Sequence, residues 1–407
     1  MLKRILAITL VLIPLGLAGY QLRAGKAETP LITFVPGSRH LADSPLVLNL
    51  HPLPSSSTSK LQQVLDESRK EESLPGAVLY ISTPNGTWIG ASGKASLEAG
   101  TLMKPTDRFR IGSVCKTFVS VVVLQLVQEG KLRLDDLMTK FLPKEITKRL
   151  PNSNQITIRE LLNHTSGLSN YMNDQFYDEV RKDPTHPWTA TEVLQFVYNL
   201  APVGTPGEKF DYSDTNYILL ELIIDKVTGS TLTTQIRDRI LTPLGLNNTF
   251  MELREQIPGG FVNSYRKVDG VQTNVTQLNE ANGLGDGGLI SSASDLAKFV
   301  HALLAEGKLL SRQTLKQMLT SFKNDNYGLG LASRQTKWGE LLGHSGGTAG
   351  HRAEMYYLPT HNITVVVMGN DDDSDKDTYD IVEKALDVVL SSTHYFQGQS
   401  SWWYSAF

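Results

Sequence analysis

With 407 residues, 40% of them apolar and 20% charged, the chain can bury a large core and has the balance of a globular protein, not a disordered one. A formal net charge of −3 gives no electrostatic reason to expect nucleic acid as a partner, and a single cysteine, Cys115, rules out an internal disulfide. The nine histidines show no HExxH and no zinc-ligand spacing, so neither a metal nor another cofactor is expected.

Lys3 and Arg4 precede an apolar run from Ile5 to Ala18, which reads as the n- and h-regions of a secretory signal. That run is short of the roughly 20 residues a spanning helix needs. Gly16-x-Ala18 and Gly25-x-Ala27 each offer a small-residue cleavage site, and Tyr20 stands where lipidation would want a cysteine. The expectation is export, to the periplasm or the extracellular side. Residues 1–27 then serve as a signal peptide or, left uncleaved, as a membrane anchor.

Residues 28–59, with five prolines and Ser55-Ser56-Ser57, read as a linker. A helix fits Lys60 to Lys70. Strands fit Gly76–Ile81 and Trp88–Gly90 around Pro84-Asn85-Gly86, a hairpin signal. From Ser113 to Glu129 the sequence is almost wholly apolar after Lys116 and closes at Gly130, the pattern of a buried helix. Thr157-x-x-Glu160 and Thr189-x-x-Glu192 are capping boxes, and helices continue at Asn216–Val227 and Ser294–Glu306. Strand character returns at Tyr327–Leu331, His351–Tyr357 and Ile363–Met368, before a closing helix at Asp377–Leu390. Strands therefore flank a helical middle. This predicts one domain over 60–392, with an α/β lobe from 60–112 plus 320–392, a helical lobe over 113–319, and a tail at 393–407.

Three short signals carry chemistry. In Ser113-Val114-Cys115-Lys116 a hydroxyl and an amine lie one helical turn apart on one face. Free N–H groups at the helix start favour negative charge there, and apolar neighbours should depress the lysine toward a usable base. Tyr212, in Tyr212-Ser213-Asp214-Thr215-Asn216, offers a phenol that relays a proton if it sits beside Lys116. In Gly343-His344-Ser345-Gly346-Gly347 the glycines let a substrate backbone approach, and the N–H groups of Gly347 and Ser113 would form an oxyanion hole. A rival reading takes Gly343-x-Ser345-x-Gly347 as the nucleophile elbow of an α/β-hydrolase. It requires a helix directly after Ser345, where the sequence instead has β character and Pro359.

Ser113-x-x-Lys116, Tyr212-x-Asp214 and His344-x-Gly346, in this order, resemble the three motifs of serine penicillin-recognising enzymes. Similar members are class C β-lactamases, D-alanyl-D-alanine carboxypeptidases, D-aminopeptidases and related esterases. Leu161–Leu168, Pro243–Leu246 and Gly287–Leu296 also resemble family stretches, so the likeness runs from about Lys60 to about Leu390. The resemblance implies an α+β fold: an antiparallel sheet flanked by terminal helices, with an inserted all-helical lobe. It implies an acyl-enzyme on Ser113, with Lys116 and Tyr212 as proton-transfer partners and Asp214, Asn216, His344, Ser345 and Gly346 binding substrate. The partner is then a small peptide, ester or β-lactam, with D-amino-acid peptides first. Esterase or weak β-lactamase activity is the alternative, and a non-catalytic penicillin-binding sensor is an alternative of another class.

The chain departs from the family pattern twice. His344 stands where class C β-lactamases carry lysine, which argues against efficient β-lactam hydrolysis. Asp214 stands where the family usually has asparagine, and a carboxylate accepts hydrogen bonds but cannot donate them.

Overall fold

The computed structural model describes residues 48–323, 325–372 and 378–391. The expected signal or anchor at 1–27, most of the linker and the tail at 393–407 lie outside the described residues. Among the described residues no helix is long and apolar enough to cross a membrane.

The first helix, α1 (Ser55–Glu71), starts inside the stretch read as linker. Pro54 suits a position just before a helix because its φ is fixed, and its carbonyl accepts the N–H groups of Ser57 and Thr58. The hairpin follows as expected: β1 (Gly76–Thr83) pairs with β2 (Gly86–Ser96), with Thr83 opposite Gly86, so Pro84 and Asn85 make the turn. Strand β3 (Thr101–Leu102) lies at the sheet edge.

The remaining strands of this sheet come from the other end of the chain: β4 (Ala332–Thr336), β5 (Gly339–Thr348), β6 (His351–Leu358) and β7 (Ile363–Gly369). The order is β3-β2-β1-β7-β6-β5-β4, with all pairs antiparallel. Ala77 of β1 lies opposite Gly369 of β7, so the two ends of the chain close one sheet. Strands β1 and β7 are buried along their whole length, in keeping with their largely apolar sequences.

One face of the sheet is covered by α1 and the closing helix α5 (Thr378–Leu390), through Leu61, Leu65, Ile381 and Leu386 packed on Leu79, Val365 and Val367. The other face packs into a larger core centred on α2 (Cys115–Gln128), α3 (Thr215–Thr228) and α4 (Ala293–Leu304). Phe118 of α2 stacks on Phe299 of α4 at 3.6 Å between ring centroids. Both capping boxes form, at Thr157–Glu160 and Thr189–Glu192.

Two details differ from expectation. The inserted segment is not wholly helical: strands Phe250–Met251 and Leu289–Ser292 join Arg108–Arg110 in a small sheet. The stretch Tyr327–Leu331 is not a strand but an irregular segment held by a single bridge between Tyr327 and Ala332. Gly330 has φ +75°, and a Cβ there would lie 1.9 Å from the Ser120 hydroxyl oxygen, so the segment is moulded against α2 instead of extending.

Candidate active site

The strand Arg108–Arg110 delivers the chain into a 3₁₀ turn at Gly112–Val114, and α2 begins one residue later. Ser113 therefore sits on a tight turn before the helix rather than within its first turn. The turn lies against β5. Strand β4 pairs with β5 only over Gly339–Gly343, so β4 leaves 344–348 uncovered on that side, where the Ser113 turn packs. Two glycines make this approach fit. Gly112 has φ +49°, and a Cβ there would meet the Gly347 backbone at 2.6 Å; a Cβ at Gly346 would lie 2.0 Å from the Ile111 carbonyl oxygen. Gly347 faces open space.

Lys116 is fully buried on α2, and its Nζ makes three bonds: to Ser113 Oγ at 3.0 Å, to Asp214 Oδ1 at 2.7 Å and to the Asp286 carbonyl oxygen at 2.6 Å. The expectation that apolar surroundings would depress this lysine is corrected here. Burial does pull it down, but Asp214, Tyr212 and Asp286 together outweigh that effect and hold the ammonium above its ordinary value. The residue that departs from the family pattern, Asp214, is thus the one that fixes the charge. Its Oδ2 accepts from Asn170 Nδ2 at 2.9 Å.

Tyr212 stacks on His164, with ring centroids 4.0 Å apart, and Lys116 Nζ lies 5.1 Å from its ring centre. Its hydroxyl oxygen is buried and makes no hydrogen bond among the described residues. Burial pushes the phenol up to about 12 against the lowering influence of Lys116 and Ser113. A protonated phenol beside Ser113 can donate to a leaving group.

The structure brings Ser113, Lys116, Tyr212, Asp214, Gly346 and Gly347 together. It sets two other expected substrate contacts apart. Asn216 is fully buried, with Oδ1 accepting from Ser166 Oγ at 2.6 Å and Nδ2 at 3.2 Å from His164 Nδ1. Both halves of its amide are committed to the core. His344 lies behind Tyr327: the Tyr327 hydroxyl donates to Nε2 at 2.9 Å, and Nδ1 donates to the Ser345 carbonyl at 2.5 Å. Ser345 is half-buried in the middle of β5, and β6 follows two residues after Thr348, so the strand–Ser–helix elbow is absent.

Sequence reasoning missed Asp286. It lies in the cleft beside Ser113, which is lined by Gly112, Met172, Asp214, Asp286, Gly347 and Thr348 among others. Its Oδ2 accepts from the Tyr171 hydroxyl at 2.7 Å. Burial pushes its carboxyl up to about 7, with Lys116 opposing and Asp214 reinforcing the rise. The available signal was an acid set between Gly285 and Gly287, immediately before the Gly287–Leu296 stretch.

The sequence model of the Beta-lactamase family matches residues 61–389. The chain is 26% identical over 355 residues to "Penicillin-binding protein 4*" of Bacillus subtilis (strain 168), across 82% of this chain and 76% of that one. A D-stereospecific amidohydrolase from Streptomyces sp. matches with a TM-score of 0.72 at 30% identity, over 80% of this chain and 97% of that one. The D-amino acid amidase from Ochrobactrum anthropi SV3, complexed with L-phenylalanine amide, matches with a TM-score of 0.73 at 26% identity, over 83% and 99%.

Burial lowers His344 to about 4 and takes His164 and His351 well below the ordinary histidine value. Between pH 6.5 and 4 the unfolded chain therefore binds protons that the folded one does not, so stability is full above pH 6.5 and is lost as pH falls toward 4. Each such histidine contributes a slope of about 1.4 kcal/mol per pH unit in that window. Urea unfolding at pH 7 and pH 4.5 should show this loss, and His344→Gln should make it shallower. An unchanged slope in the variant would mean that His344 titrates freely in the folded protein.

Proposed function

We propose, for a chain that belongs to the Beta-lactamase family, that Ser113 is the nucleophile of a serine hydrolase acting on D-amino-acid amides and peptides. The observation that carries this reading is the hydrogen bond from the buried Lys116 Nζ to Ser113 Oγ at 3.0 Å, made while the same nitrogen pairs with Asp214 at 2.7 Å. A serine hydroxyl is a weak nucleophile unless a neighbour removes its proton as it attacks. At rest both neighbours hold their protons, Lys116 as an ammonium and Tyr212 as a phenol, so the pair can take up the Ser113 proton only after one of the two has lost its own.

With one proton already lost from the Lys116–Tyr212 pair, Ser113 Oγ attacks the carbonyl carbon, the Ser113 proton fills that vacancy, and the oxyanion lies between the N–H groups of Ser113 and Gly347. The C–N bond then breaks, the departing amine takes a proton through Tyr212, and the acyl group remains on Ser113. Water attacks the ester next and gives a proton to the same pair; the acyl–Oγ bond breaks, Ser113 Oγ takes that proton back, and the acid leaves. The choice of an amide of a D-amino acid follows the Streptomyces amidohydrolase and the Ochrobactrum amidase, whose folds match over most of both chains. A D-amino-acid peptide presents the same scissile bond, and short esters are the second class. Acylation by a β-lactam fits the kinship with a penicillin-binding protein, but His344, turned to Tyr327, supplies no cation to a substrate carboxylate. The Lys3-Arg4 and Ile5–Ala18 pattern supports an exported protein, cleaved or anchored at its N-terminus.

Three outcomes test this reading. Labelling with a fluorophosphonate should modify Ser113, disappear in Ser113→Ala and persist in Ser345→Ala; a label on Ser345 would overturn it. Asp214 raises both Lys116 and Tyr212, so in Asp214→Asn the rise of kcat/KM with pH should move downward by about one pH unit or more. A profile that stays in place would show that neither group is the base. Cell fractionation should recover the protein outside the cytoplasm, and full-length chain in the cytosol would count against export.

A further inference from the structure

The cleft beside Ser113 is acidic. Among its described lining residues are three carboxylates, Asp214, Glu280 and Asp286, and neither lysine nor arginine. Two of the three are engaged. Asp214 accepts from Lys116 and Asn170, and both oxygens of Glu280 accept from Arg266, which also pairs with Asp372. Another arginine nearby in the sheet, Arg352, donates to the Asp372 carbonyl.

Asp286 is different. It is 5% exposed, Tyr171 satisfies only its Oδ2, and its Oδ1 is buried with no hydrogen-bond partner among the described residues. Leaving a buried carboxylate oxygen without a donor is costly. Its place is fixed relative to the nucleophile, because the Lys116 nitrogen that bonds Ser113 Oγ also bonds the Asp286 carbonyl.

We propose that Asp286 receives the α-ammonium group of the substrate, so that the enzyme selects amides and peptides whose acyl residue has a free amino terminus. The inference rests on the reading of Ser113 as nucleophile. An α-ammonium lies two bonds from the scissile carbonyl carbon, so its receptor must stand next to the attacking serine, as Asp286 does. The ammonium would donate a charge-assisted hydrogen bond to Oδ1. The repulsion expected from Lys116 is offset, because Asp214 already neutralises that charge. A substrate with a carboxylate in this position would face the carboxylate of Asp286, while Asp214 and Glu280 leave it no free cation because Lys116 and Arg266 are already paired with them, and it would be repelled.

The test compares three p-nitroanilides: D-alanine p-nitroanilide, its N-acetyl derivative, and propionyl p-nitroanilide, in which hydrogen replaces the ammonium. Native enzyme should show kcat/KM about tenfold or more higher for the amine than for the propionyl compound. Asp286→Asn should lose most of that ratio, chiefly through KM. Equal turnover of the amine and propionyl compounds, even with the N-acetyl derivative excluded, would mean selection by size and overturn the proposal. So would a ratio that survives in Asp286→Asn, or no cleavage of the amine by enzyme that a fluorophosphonate labels on Ser113. If Asp286→Asn does not fold, the native comparison decides alone. Absence of label on Ser113 would instead overturn the nucleophile assignment, and this inference with it.

Discussion

A lysine with no exposed surface in the first turn of a largely apolar helix is the constraint around which the catalytic half of this protein is arranged. An ammonium cannot remain in a core without partners, because losing its hydration costs several kcal/mol. Lys116 finds them in Asp214, in the Asp286 carbonyl and in the Ser113 hydroxyl. Those three belong to the entry to α3, the loop before the Leu289–Ser292 strand, and the turn before α2. One buried charge thus ties together the three segments that form the site. Breaking it would leave an uncompensated charge, so the geometry is held firmly.

The sheet contributes by close approach. The uncovered edge of β5 can lie against the Ser113 turn only because Gly112 and Gly346 lack side chains, and this brings Gly347 to the nucleophile. The aromatic layer beneath is packed without charge: Tyr212 on His164, His164 beside Tyr327, and Tyr327 bonded to His344. Charge in the site is therefore confined to the Lys116 cluster and the cleft carboxylates. Such a surface favours a cationic substrate over an anionic one.

Much of this was legible in the chain itself. The capping boxes at Thr157 and Thr189, the hairpin at Pro84–Asn85 and the largely apolar α2 are local patterns, and each formed close to where the spacing put it. The pairing of Ser113 with Lys116 is likewise local, three positions apart, although Ser113 stands on the 3₁₀ turn just before α2 and not within the helix. The irregular Tyr327–Leu331 stretch was not legible, since its shape follows from packing against α2 and Met318 rather than from its own composition. Asn216 and His344 sit in motifs that suggest substrate contact, yet their polar atoms are consumed by Ser166, His164 and Tyr327.

The sequence by itself determined the periodicities, the caps and the order of the motifs, and with them the fold class and the identity of the candidate nucleophile. Only the tertiary structure decided the charge on Lys116 and the role open to Asp286. Asp214 is 98 positions from Lys116 and Asp286 is 170, and the Coulomb energy depends on distances in space that no local spacing encodes. Composition around Lys116 predicts a depressed amine; Asp214, 2.7 Å away, acting with Tyr212 and Asp286, reverses the sign.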